Sequence, residues 1–125
     1  MRHRIGGRQF GLPSDQRQAL LKGLLRSLII YKQIETTEAR GKEIRPLIEK
    51  LITRAKNDDS INSRRIVRAQ IGGHSADDES IVKELFTVIA PTFKERAGGY
   101  TRMARVGARR GDAAMMVMIQ FVANE

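Results

Sequence analysis

Apolar residues recur along this chain in helical stripes and then, near the C-terminus, give way to an alternating pattern. Leu20, Leu21, Leu24, Leu25 and Leu28 share one face of a helix that should start at Ser14, its expected N-cap, and end near Tyr31. Asp15 stands in the first turn, where a carboxylate suits the helix dipole. Gln33 to Thr37 reads as a short strand with Ile34 inward. Thr36 or Thr37 then caps a second helix. In it Ile44, Leu47, Ile48, Leu51, Ile52 and Ala55 repeat at helical spacing, the strongest periodicity in the chain. Pro46 lies inside this stripe and predicts a kink or a fresh start, because proline lacks a backbone donor.

The cluster Asn57-Asp58-Asp59-Ser60 breaks the pattern. A shorter helix is expected over Ile61–Ile71, with Arg64 and Arg68 on one side. A loop at Gly72-Gly73-His74 precedes a capping-box-like Ser75-Ala76-Asp77-Asp78. Ile81, Val82, Leu85, Phe86, Val88 and Ile89 form the next stripe, ended by Pro91, and Phe93 packs in a last turn before Gly98-Gly99. From Tyr100 the period changes to two. A strand, a turn bounded by Gly107 and Gly111, and a second strand with Met115, Val117, Ile119 and Phe121 on one face predict a β-hairpin. Met1 to Pro13, with Gly6, Gly7, Gly11 and Pro13, reads as an irregular arm.

These elements predict an α+β fold. It is a small two-layer domain over residues 14–125, with helices packed on one face of a short mixed sheet, preceded by an extended basic N-terminal arm over 1–13. The length, 125 residues, suits one such domain.

Charge changes the picture from a plain small domain to a partner for a polyanion. Lys and Arg number 23 against 14 acidic residues, a net charge of +9. The excess is uneven: residues 1–31 carry six basic side chains and one acidic, whereas residues 57–90 carry four basic and six acidic. The basic surface should therefore come from the two ends of the chain. No apolar run is long enough to predict a membrane span, and the arm lacks the apolar region of a signal peptide. Cysteine is absent, which fits a reducing compartment.

Candidate catalytic chemistry is sparse. His3 and His74 have no neighbouring ligand set, and no segment carries a nucleophile elbow or a phosphate-loop lysine. Asp58, Asp59, Asp77 and Asp78 stand at helix starts, where capping explains them better than a metal. No catalytic residue, metal or cofactor is expected. Met115, Met116 and Met118 are read as strand packing rather than as a flexible binding surface. Tyr100 could stack on a base or pack at the strand start. Arg109 and Arg110 at the hairpin tip can fork onto phosphate oxygens, although charged tips also occur as plain solvated turns.

A set of ordered motifs goes further. Met1-Arg2-His3-Arg4, Gly7-Arg8, Arg17-x-Ala19-Leu20, Ile34-x-Thr36-Thr37, Lys42-Glu43-Ile44-Arg45 and Leu51-Ile52-Thr53 are followed by Gly98-Gly99-Tyr100-Thr101-Arg102 and Arg109-Arg110-Gly111-Asp112-Ala113-Ala114. On these residues, spread over the whole chain, the sequence closely resembles the bacterial large-ribosomal-subunit protein seventeen family. The resemblance implies a non-enzymatic structural constituent of the large subunit. It would bind large-subunit ribosomal RNA near the nascent-chain tunnel exit and touch neighbouring ribosomal proteins, in the cytoplasm and ribosome-bound. No membrane or small-molecule substrate is implied. The family usually has His-Arg at Gln16-Arg17 and a polar Asn at Gly23.

Combining charge and resemblance, the expected RNA-binding residues are Arg2, His3, Arg4 and Arg8 in the arm; Arg17, Lys22 and Arg26 along the first helix; and Gly98, Gly99, Tyr100, Thr101, Arg102, Arg105, Arg109 and Arg110 around the hairpin. Lys22 and Arg26 should line the exposed side of their helix. Arg102 and Arg105 fall on opposite faces of an ideal strand, so both reach RNA only if a bulge or edge twist turns one of them. A free-standing nucleic-acid regulator and an RNA-processing enzyme are the competing classes. The first would need a reading helix or dimer seam, the second clustered carboxylates or a histidine pair, and the sequence shows neither.

Overall fold

A computed structural model describes residues 10–72 and 78–122. Helix α1 (Ser14–Tyr31) leads into strand β1 (Gln33–Thr37), then α2 (Glu38–Asn57), α3 (Ile61–Ile71) and α4 (Asp78–Glu84). Helix α4 runs on through a wide π-helical turn, Leu85–Ile89, and a last turn, Ala90–Thr92. Strands β2 (Thr101–Ala108) and β3 (Met115–Phe121) form the hairpin. The expected arm falls mostly outside the described residues, as do His74 and the capping-box positions Ser75 to Asp77.

The α+β, two-layer expectation holds, with one correction to the sheet. Its order is β1-β3-β2, and both pairings are antiparallel, so the sheet is not mixed. The hairpin places β3 in the middle, and β1 meets β3 rather than β2. The two strands that do run parallel are therefore never neighbours.

Helix α2 lies across the sheet at closest approach. A Cβ on Gly41 would sit 2.9 Å from both Met103 Sδ and Val117 Cγ2. That contact defines the covered face of the sheet. Around it Leu25, Leu28, Ile29, Ile44, Ile48, Leu51, Ile52, Val67, Ile71, Leu85, Phe93, Tyr100 and Ile119 make one buried cluster. Burying apolar area on this scale is the main stabilising term.

Several local expectations are revised. Pro13, not Ser14, occupies the N-cap position of α1; its carbonyl accepts the Arg17 N–H at 2.9 Å. Proline suits a helix entrance, and Ser14 is already helical. Thr37 is the N-cap of α2 but makes no side-chain cap bond. Pro46 neither ends nor restarts α2, which is one helix throughout. Pro46 and Lys42 are both exposed, so the carbonyl left without a donor faces water. The N-cap of α3 is Ser60, which accepts the Ser63 N–H at 3.1 Å, rather than Asp58 or Asp59, which the sequence put forward for capping. Val88 is half exposed, because it sits at the edge of its stripe on the π-helical turn. Met115 is also exposed, unlike Val117 and Ile119, because it lies level with the start of α2, where the helical cover begins.

Candidate nucleic-acid interface

The hairpin projects the candidate cations. Cross-strand partners share a face, so Arg102, Gln120 and Gln33 lie together on the side away from the helices. Arg105 pairs with Val117 and so lies on the helix side. There it runs past the start of α2, and its guanidinium comes within 3.4 Å of Glu38 Oε1. A bulge does interrupt β2, between Arg105 and Gly107, but it comes after both arginines and does not bring them to one face. Gly107 takes a φ of 136°, a conformation that favours glycine. Lys42 also pairs with Glu38, at 3.0 Å, and with Arg105 it holds the Glu38 carboxyl below its ordinary range.

At the tip the two adjacent arginines differ. Arg109 closes on Asp112 in a two-point fork, Nε to Oδ1 at 3.0 Å and Nη2 to Oδ2 at 2.7 Å. Asp112 Oδ1 also accepts the Ala114 N–H at 3.1 Å. These hydrogen bonds, the Arg109 one foremost, hold the Asp112 carboxyl well below the usual carboxylate range. Arg110 is exposed and has no ion-pair partner among the described residues.

Three expected contact residues are turned into the fold instead. Tyr100 is 1% exposed and packs on Phe93 with ring centroids 5.3 Å apart. Its hydroxyl accepts from Thr53 at 3.3 Å, and the Lys56 ammonium lies 4.9 Å from the ring centroid. Tyr100 is therefore a core residue, not a stacking platform. Thr101 is buried as well; its N–H and hydroxyl both donate to Glu49 Oε1, at 3.4 and 3.3 Å. Arg26 does not line an open helix face. It donates to the Ile71 carbonyl at 3.2 Å and pairs with the buried carboxylate of Asp78, tying α1 to the end of α3 and the start of α4. A buried carboxylate needs a charged partner, and Arg26 is placed to be one. Asp78 accordingly serves this pair, while Asp58 Oδ1 accepts the Ser60 N–H at 3.1 Å in a local turn.

Arg17 and Lys22 are partly exposed on α1, and Gly98 and Gly99 lie in the open on the loop before β2. Arg2, His3, Arg4 and Arg8 lie outside the described residues. Two cations escaped the sequence reading. Lys50 and Arg54, one turn apart on the outward side of α2, line a groove with Gly98 and Gly99. Their helix was read for its apolar stripe alone, and its outward charges drew no reading. Among the described residues no group of three or more His, Cys, Asp or Glu side chains could hold a metal ion. No described helix is long and apolar enough to cross a membrane.

Comparison with known proteins adds a family. The profile of the family described as ribosomal protein L17 matches residues 20–122. The chain is similar to the large ribosomal subunit protein bL17 of Thermoanaerobacter sp. (strain X514), 48% identical over 118 residues that cover 94% of this chain and 100% of the relative. The protein of that name from Shouchella clausii is 50% identical over 117 residues, covering 91% of this chain and 97% of its own length. The one from Pelobacter propionicus is 45% identical over 125 residues, covering 100% of this chain and 94% of its own.

Proposed function

Because the chain belongs to the ribosomal protein L17 family, we propose that it is a structural, non-catalytic constituent of the large ribosomal subunit, bound to large-subunit ribosomal RNA near the nascent-chain tunnel exit. It works in the cytoplasm as part of the ribosome and touches neighbouring ribosomal proteins there. The tunnel-exit position follows the family resemblance of its motifs.

The observation that carries RNA binding is the placement of unneutralised cations. A net charge of +9 sits on a fold whose core is apolar, so the excess is displayed outward. Arg102 and Arg110 on the hairpin and Lys22 on α1 are available to phosphate oxygens, and Arg105 shares its charge with Glu38. The sequence supplies four further expected contacts, Arg2, His3, Arg4 and Arg8. Contacts of this kind read RNA backbone and shape more than base sequence. They position RNA and require no chemical step.

Gradient fractionation of cell lysate tests the reading. The chain should migrate with the large subunit and stay there through a high-salt wash. Migration in the soluble pool, or with another particle, would refute it.

A further inference from the structure

We propose that the groove between α2 and the Gly98-Gly99 loop is a seat for a phosphodiester backbone, with Lys50 and Arg54 as its charged wall and glycine backbone N–H groups as its floor. The inference rests on the RNA-binding reading above, in which Gly98 and Gly99 are already expected contacts, and deepens it by adding the two α2 cations opposite them.

The groove has a volume of about 730 Å³ and is bounded by α2, by Gln70 of α3 and by the loop before β2. Lys50 and Arg54 are both exposed, and neither has an ion-pair partner among the described residues. Residues four apart on a helix have Cβ atoms about 5–6 Å apart, so the two cations can meet different phosphates of one strand. Two carboxylates share the groove's lining: Glu49, occupied by the N–H and hydroxyl of Thr101, and Asp58, whose Oδ1 accepts the Ser60 N–H. The Thr101–Glu49 latch holds the loop against α2.

The floor carries the second, independent observation. Among the described residues the N–H groups of Gly98 and Gly99 donate to no acceptor, and both residues are exposed. Gly99 needs to be glycine for its φ of 64°. Gly98 does not: its φ is not positive, and a Cβ there would meet nothing within 4 Å. A glycine with no conformational or packing reason inside the fold, beside two open cations and free donors, fits the close approach of a ligand backbone. Phosphate oxygens are acceptors for N–H groups and for cations alike. Tyr100, with its ring packed on Phe93, forms the rigid inner wall and does not stack.

The test uses the full chain and transcribed large-subunit ribosomal RNA in filter binding, with thermal melts on every variant. Lys50→Ala and Arg54→Ala should each weaken binding on the order of tenfold. Together they should reduce the slope of log affinity against log salt by about 1.5. Gly98→Ala should weaken binding several-fold while leaving the melting point unchanged or higher, a combination that a purely structural role cannot produce. If the wild-type chain binds and Arg110→Ala weakens it, but these three variants bind as wild type, the groove proposal is overturned and the RNA reading stands. If those variants keep RNA affinity yet are lost from assembled subunits, the occupant is a neighbouring protein and the proposal is likewise overturned. If the wild-type chain binds no ribosomal RNA, the parent reading fails.

Discussion

Arg109 and Asp112, three residues apart across the hairpin turn, hold each other through two hydrogen bonds of 3.0 and 2.7 Å. The fork closes the loop that carries Arg110 and uses up both Asp112 oxygens. Arg109 is thus a brace for the tip, and Arg110 is its open charge. Arg110→Ala should weaken RNA binding on the order of tenfold with an unchanged melt. Arg109→Ala also releases a carboxylate beside the RNA, so its loss should be partly rescued by the double variant with Asp112→Ala. Filter binding of the single and double variants decides; full additivity would contradict the brace.

The same fork has a pH consequence. The Asp112 carboxyl titrates below its ordinary value when folded, so its contribution is present above about pH 3.9, the unfolded range. It is lost only as pH falls below that range. Carbon NMR of the Asp112 side chain should show a titration midpoint below that of an ordinary aspartate. An ordinary titration near pH 4 would mean that the fork does not persist in solution.

Tyr100 and Leu51 should behave as core. Leu51 is 2% exposed, and Leu51→Ala should cost about 2–5 kcal/mol in lost burial and a cavity. Tyr100→Ala should cost about 3–5 kcal/mol by the same mechanism. Tyr100→Phe keeps the ring and should keep RNA affinity at the wild-type level. A large affinity loss in a normally folded Tyr100→Phe would return Tyr100 to the interface.

Arg26→Ala should destabilise the fold by about 3 kcal/mol, since it strands the buried Asp78 carboxylate. Denaturant melts check this. Below the transition the variant should still bind RNA near wild-type affinity, because Arg26 is spent inside the fold. A stable variant with weak RNA binding would contradict this placement.

Two helix glycines should respond with opposite sign. Gly23 on α1 has nothing within 4 Å of where a Cβ would sit, so Gly23→Ala should stabilise by about 0.5–1 kcal/mol. Gly41→Ala drives a methyl into Val117 and Met103 and should destabilise by about 1–3 kcal/mol despite the helix gain. Matched melts would expose a looser α2–sheet contact if both variants were stabilised.

Much of the fold was legible because it depends on local periodicity. The stripe through Ile44, Ile48, Leu51 and Ile52 gave α2, and the break at Asn57-Asp58-Asp59-Ser60 gave the start of α3. Strand neighbours were not legible, since pairing of β1 with β3 joins residues far apart in sequence. The site divided along the same line. Arg110 could be read from a glycine-bounded turn. Arg26 could not, because its partner Asp78 lies 52 residues away. Thr101 looked like part of one basic motif until Glu49, also 52 residues away, claimed it. Lys50 and Arg54 gained meaning only when the fold set Gly98 and Gly99 opposite them.

The account stands on an electrostatic grip on ribosomal RNA, and a salt titration of the purified chain on transcribed large-subunit RNA addresses it most directly. With about six phosphates contacted, affinity should fall roughly a thousandfold between 50 and 200 mM salt on the duplex scale, somewhat less for single strands. A flat titration over that range would contradict the account.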